Sequence, residues 1–138
     1  MNLIDFILYS ICAYILIYYT IRTVLYIKRK RERNMIKILR KKVNEPWEVI
    51  EIENTLEALQ HEVEGNIETV TVTSDCCVVI NEESLLKGHH FNVTFGGLPL
   101  FGTVLLVGTL NDEFCDLPNP DVWLKWLNKV GEDGRESS

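Results

Sequence analysis

Cys76, Cys77, Cys115, His89 and His90 are the candidates for soft or nucleophilic chemistry in the part of the chain after residue 34, so covalent or metal chemistry there would start from them. Zinc sites favour C-x₂₋₄-C and H-x₃₋₅-H spacings, which let two ligands converge on one ion. Neighbouring residues on a strand point to opposite faces, so Cys76-Cys77 cannot easily share a metal, and His89-His90 has the same defect. In a reducing compartment, cysteine in an apolar β run behaves as a small hydrophobe. Gly96-Gly97 and Gly102 match neither a Walker loop nor a dinucleotide fingerprint and read as loop flexibility. Asn92-Val93-Thr94 has the form of a glycosylation sequon, which carries meaning only in a secreted domain. Asp112, Glu113 and Asp116 lack the regular spacing of a calcium loop and read as a solvated acidic loop. These residues supply no catalytic, cofactor-binding or metal-binding assignment.

The elements that must position these residues centre on Glu48 to Ile80. Val49 to Ile52 is a short β-prone run. Asn54 is a candidate helix cap, with Glu57 three residues on as in a capping box. Leu56, Leu59 and Val63 recur at helical spacing and lay one apolar stripe over a sheet. Gly65 is the expected left-handed stop. Ile67 to Thr73 alternates β-branched residues, Ser74-Asp75 marks a turn, and Cys76 to Ile80 is an apolar strand.

The chain is electrostatically divided. Six of its 14 bases and two of its 20 acids lie in residues 1–34, giving +4 there and −10 over residues 35–138. All five tyrosines fall in the first part and all three tryptophans in the second. The first part reads as a membrane anchor: Leu3 to Ile27 is apolar except for Asp5 and Arg22 near its ends. Phe6, Ile7, Leu8, Ile11, Ile15, Leu16, Ile17 and Ile21 form its body. Roughly 20 apolar residues cross a bilayer core of about 30 Å. Lys28, Arg29, Lys30, Arg31 and Arg33 form a basic flank on one side only. By the positive-inside rule this predicts a single-pass cell-membrane protein, N-terminus out and the rest cytoplasmic. A cleaved signal peptide fits worse, because Asp5 stands where a basic region belongs and no A-x-A site follows. The alternative is a soluble domain starting at Met35, with the upstream segment an over-extended reading frame. An acidic domain lacks the clustered Lys/Arg that a phosphate backbone requires, so nucleic acid is excluded as an expected partner.

Met35 to Arg40 and Trp47 to Ile52, separated by the Asn44-Glu45-Pro46 turn signal, predict a hairpin. Asn81 to Lys87 suggests one helical turn ended by Gly88, and His89 to Gly102 reads as irregular. Thr103 to Val107 is a buried strand and Leu110 to Pro118 a loop. Asn119-Pro120 starts a last helix whose Val122, Trp123, Trp126, Leu127 and Val130 form one face, with Trp123, Trp126 and Val130 as core or as interface, Lys125, Asn128 and Lys129 facing water and Gly131 ending it. The expected class is α+β: a small, mostly antiparallel sheet with a central helix and a C-terminal helix, preceded by the transmembrane helix. The expected divisions are an anchor over 1–27, a basic juxtamembrane linker over 28–34, the domain over 35–131 and a solvated tail over 132–138.

The runs IENTLEALQHEVEGNIETV, VVINEESLLKG and GTVLLVGTLNDEF resemble a domain-of-unknown-function family (DUF3846-like) common in phages, prophages and mobile elements. The resemblance extends from about Met35 to Leu117, leaving the last helix outside the family's usual short form. It implies a bacterial or phage source and a small α+β fold, and it carries over no functional residue. Two expectations follow. One is a membrane-anchored, non-enzymatic interaction or host-modulating module with a protein partner of unknown identity. The other is a small-molecule-binding or hydrolytic domain using the glycine-rich 89–102 segment as a pocket wall.

Overall fold

A computed structural model describes residues 2–136 and divides at Asn34/Met35 into two compact units. The first unit is one helix, α1 (Leu3–Arg33), of 31 residues. Asn2 caps it, its Oδ1 accepting from the Asp5 amide at 2.9 Å, a start signal that the sequence reading passed over. The hydroxyls of Ser10, Thr20 and Thr23 each donate to the carbonyl four residues back, at 2.8–2.9 Å, so these polar groups are satisfied within the helix. From Leu3 to Lys30 the helix is long and apolar enough to cross a membrane. The eight apolar anchor residues from Phe6 to Ile21 all lie exposed along it. The basic run is helical as well, so it forms the last turns of α1; the side chains of residues 31–33 lie outside the described part.

The second unit is α+β. Its strands are β1 (Met35–Lys41), β2 (Glu48–Glu53), β3 (Ile67–Thr73), β4 (Cys76–Asn81), β5 (Phe91–Phe95), β6 (Leu98–Phe101), β7 (Val104–Leu110) and β8 (Glu113–Cys115). Helix α2 (Leu56–Val63) and helix α3 (Pro120–Glu136) complete it. The main sheet runs β2-β1-β7-β4-β3, with β8 also on β7, and every pairing in it is antiparallel. β5 and β6 form a separate hairpin.

The sheet is buried on both sides, which is why β4 and β7 read as unbroken apolar runs instead of alternating. Ile36, Ile38, Cys77, Val79, Leu105 and Val107 face α2 and its buried Leu59 and Val63. Leu39, Cys76, Val78, Val104 and Leu106 face the other way, toward Leu127 of α3 and Leu100 of the hairpin.

Several local expectations are corrected. The cap of α2 is Thr55, whose Oγ1 accepts from the Ala58 amide at 3.2 Å. Asn54 instead donates from Nδ2 to the Phe114 carbonyl at 2.8 Å, tying the β2 end to β8. Leu56 stays exposed. The left-handed residue ending α2 is Glu64 (φ 63°), not Gly65. Gly65 is required by close approach, since a Cβ there would meet Asn81 Nδ2 at 2.6 Å. The 89–102 segment is not irregular. It is the β5–β6 hairpin, turned by Gly96 (φ 58°) and Gly97 (φ 83°), the pair of positive dihedrals that a tight primed turn demands. The 110–118 loop contains β8, reached through Asn111 and Asp112, both at positive φ. The expected helical turn over Asn81 to Lys87 is replaced by the end of β4 at Asn81 and turns over Glu82 to Gly88. Helix α3 passes through Gly131 to Glu136, and residues 137 and 138 of the expected tail lie outside the described residues.

Candidate functional site

The sequence candidates for chemistry are dispersed by the fold. Cys76 and Cys77 are buried in β4 on opposite faces of the sheet, as strand geometry requires. Burial, with Cys76 adding, pushes the Cys77 thiol up to about 11, which leaves it protonated and poorly nucleophilic at neutral pH. Cys115 is also raised, by burial first and then by Asp116 and Asp75. Asp116 is engaged structurally: its Oδ1 accepts from the Lys37 amide at 2.7 Å. Asn92 of the sequon pins the hairpin to β1, donating from Nδ2 to the carbonyls of Lys41 at 2.8 Å and Gly102 at 2.7 Å. Among the described residues no group of three or more His, Cys, Asp or Glu is placed to hold a metal.

His89 and His90 do border a cleft, of about 550 Å³, with Arg40, His61, Glu62 and Glu64. Arg40 closes one side of it. Its Nη1 donates to Glu62 Oε2 at 2.8 Å, and its Nη2 to Glu48 Oε1 at 2.6 Å, joining β1, β2 and α2. Burial lowers the Arg40 pKa, but the two carboxylates raise it more, so the net direction is up and the charge is secure. His89 Nδ1 is buried against Gly102 without a hydrogen-bond partner. The ion pairs thus engage Arg40 and Glu62 within the domain.

The second depression has a different character. Between the β1–β2 loop, the β5–β6 hairpin and α3 lies a groove of about 610 Å³, lined by Trp47, Phe95, Trp126, Leu127 and Val130 with Asn44, Glu45, Thr94 and Asn128 among its polar edges. Trp47 and Leu127 make its floor, 4% and 7% exposed. Phe95 meets Trp47 edge-on, ring centroids 6.4 Å apart, and so is braced from below. Trp126 forms the opposite lip, edge-on to Trp123 at 5.9 Å.

The last helix is therefore rotated from the expected setting. The Trp47 amide donates to Asn128 Oδ1 at 3.1 Å, which fixes α3 so that Trp123, Leu124 and Leu127 pack inward. Asn128 does not face water, and Trp126 and Val130 are not core. They stand 53% and 49% exposed along the groove. Trp126 and Val130 were legible as candidates for an interface, whereas Trp47 and Phe95 were not, because nothing local links residues 47, 95 and 126.

A family model described as a domain of unknown function (DUF3846) matches residues 36–129, more than half of the chain. The chain belongs to this family. The match runs from β1 into α3, so the tryptophan-bearing helix is part of the DUF3846 domain, which corrects the expected boundary near Leu117. Residues 1–35 lie outside the match. No curated protein and no solved structure matches the chain. All of the groove's lining except Val130 and Gly131 thus lies within the matched residues.

Proposed function

We propose that the chain is a membrane-anchored, non-enzymatic interaction module of phage or mobile-element origin, in which α1 tethers a DUF3846 domain that docks an apolar protein segment. One observation carries the docking half: Trp126 and Val130 stand half-exposed along a groove whose floor is Trp47 and Leu127. Tryptophan is enriched at interaction hot spots, and a small domain that leaves its largest side chain in water beside an aromatic floor has a surface suited to a partner. A non-enzymatic role is supported by the burial of Cys76 and Cys77 and the raised Cys77 pKa. The anchor half rests on the apolar length of Leu3 to Lys30 and the basic flank at one end. By the positive-inside rule the DUF3846 domain is cytoplasmic in this reading, at the cell membrane.

The test is capture from the native host by the full chain in its membrane. Trp126→Ala is expected to lose a partner held by the wild type while melting at nearly the same temperature. Capture unchanged by this substitution refutes the groove as the docking place. Alkaline carbonate that releases the chain refutes the anchor, as does a native protein whose first residue is Met35.

The groove also supports a second reading. Its volume of about 610 Å³ lies within the roughly 300–1,000 Å³ typical of small-molecule sites, and the glycine-turned hairpin supplies one wall through Val93 to Gly96. An apolar small molecule that raises the melting temperature of the wild type but not of Trp126→Ala favours this reading over a protein partner.

A further inference from the structure

We propose that one face of α1 near its basic end is a binding site for a single anionic phospholipid; this deepens the anchor reading and rests on it. Tyr19, Arg22, Thr23, Tyr26, Arg29 and Lys30 line one recess along the helix. At about 100° per residue these six positions fall within a stripe roughly 120° wide, so three cations and two phenols share a face. Lys28 lies nearly opposite the middle of that stripe. The shared face thus joins Arg22 to two members of the basic run, Arg29 and Lys30.

Arg22 is the residue a simple anchor does not explain. It sits six residues before Lys28, roughly 9 Å deeper in the bilayer direction. A charge at such depth is costly unless it reaches the interface or finds a counter-charge. Its partner is neutral: the guanidinium lies 5.7 Å from the Tyr18 ring centroid, and Nη1 donates to the Tyr18 hydroxyl at 3.3 Å. Among the described residues no carboxylate pairs with Arg22, Arg29 or Lys30. Helical side chains tilt toward the N-terminus, so Arg29 and Lys30 lean toward the membrane and the level of Tyr26, while Arg22 reaches one turn further in, to Tyr18.

The occupant follows from charge and depth. A phosphodiester accepts two parallel bonds from a guanidinium, and phenolic hydroxyls at the same level add donors. Toward the N-terminus the same face continues as Ile15, Ile11 and Leu8, all exposed, which suits an acyl chain below the headgroup. A second copy of the helix packed in parallel on this face would oppose Arg22, Arg29 and Lys30 to themselves. A soluble acidic peptide would not reach the level of Arg22. The lipid phosphate is the anion present at the level of Tyr26, Arg29 and Lys30.

The experiment compares two substitutions that remove one charge at one level and differ in face. The full chain is reconstituted in phosphatidylcholine vesicles containing a minor fraction of phosphatidylglycerol, released in mild detergent, and its retained lipids are counted by native mass spectrometry. The wild type is expected to retain phosphatidylglycerol in preference to phosphatidylcholine. Arg29→Gln should lower that retention about five-fold, the worth of one cation at an anionic surface, whereas Lys28→Gln should leave it nearly unchanged. Equal losses from the two substitutions mean a diffuse surface charge and overturn the site. Retention without preference for phosphatidylglycerol overturns it too, while leaving the anchor intact. A chain that carbonate strips from the vesicles overturns the anchor and the site together.

Discussion

The two faces of the central sheet are covered in different ways. On one, α2 presents only eight residues, yet Leu59 and Val63 are each 1% exposed and the Arg40 pairs with Glu48 and Glu62 lock the helix to the strands. That face closes mainly with aliphatic side chains, with Cys77 among them and Phe114 at its margin. On the other, α3 is twice as long, and it shares the sheet with the β5–β6 hairpin. Two covering elements meet there at an angle set by Asn92 on one side and Asn128 on the other, and the seam between them is the groove. A short helix fitted to a sheet finishes a core. A longer amphipathic helix beside a hairpin leaves apolar surface over, and here that surplus is a tryptophan.

The strongest way to break this comparison is to attack the sheet from both sides. Leu105 and Leu106 are neighbours in β7, both fully buried, one under each layer. Leu105→Ala and Leu106→Ala should each destabilise the domain by about 2–5 kcal/mol, since both leave a cavity in a closed layer. Chemical denaturation of the full chain in detergent reads both. A much milder Leu106 variant would mean that the α3 side is loosely packed under the hairpin.

The second test separates floor from lip on α3. Leu127→Ala should cost about 2–3 kcal/mol, at the lower end for a buried leucine because the groove beside it is open to relax. Trp126→Ala should cost less than about 1 kcal/mol, although a buried tryptophan would cost about 3–5 kcal/mol. A Trp126 variant as unstable as the Leu127 variant would place the lip in the core and remove the docking surface.

The rotation of α3 shows where sequence reading ends. Period 3.6 correctly finds the helix, and period 2 with turn signals finds β3, Ser74-Asp75 and β4, because each of these is set by neighbours in sequence. The family resemblance and the α+β class follow from the same stretch. Which side of α3 faces in is decided by the Asn128 bond to the Trp47 amide, from a loop 81 residues away. Gly108 reads as the bracket of a strand, yet it lies inside β7 because the Asp116 carbonyl passes where a Cβ would sit. The β5–β6 hairpin hid behind short strands, although Gly96-Gly97 between Phe95 and Leu98 is a turn signal of the primed kind. The groove combines two of these hidden features, the setting of α3 and the hairpin, so Trp126 and Val130 on one lip were visible and the site was not.

The shared strand β4 gives a test of smaller reach. Cys77 lies on the closed α2 face, where its thiol is pushed up to about 11. The native state therefore holds this proton more tightly than the unfolded chain, whose thiol titrates near 8.5. The sign follows from linkage: the contribution is fully present below about pH 8.5 and is lost as pH rises toward about 11. Cys77→Ala should flatten part of the decline of stability over that window, measured by denaturation at stepped pH. An unchanged slope would mean that solvent reaches Cys77 and that the α2 face is less closed than Leu59 and Val63 indicate.

The smallest expected effect has the opposite sign and lies at the end of the groove. Gly131 is inside α3, and a Cβ built there meets nothing within 4 Å. Glycine in a helix interior is less favourable than alanine by roughly 0.5–1 kcal/mol, because it loses more backbone freedom on folding. Gly131→Ala should therefore stabilise the domain by up to that amount, seen as a small rise in the denaturation midpoint. The same residue lines the groove, so the added methyl projects near Val130 and Trp126, where a partner would sit. Higher stability with weakened capture would fit a glycine kept for access to the groove. A loss of stability would mean that α3 stops at Gly131 in solution, and the groove would then lack the helical wall that Val130 and Trp126 require.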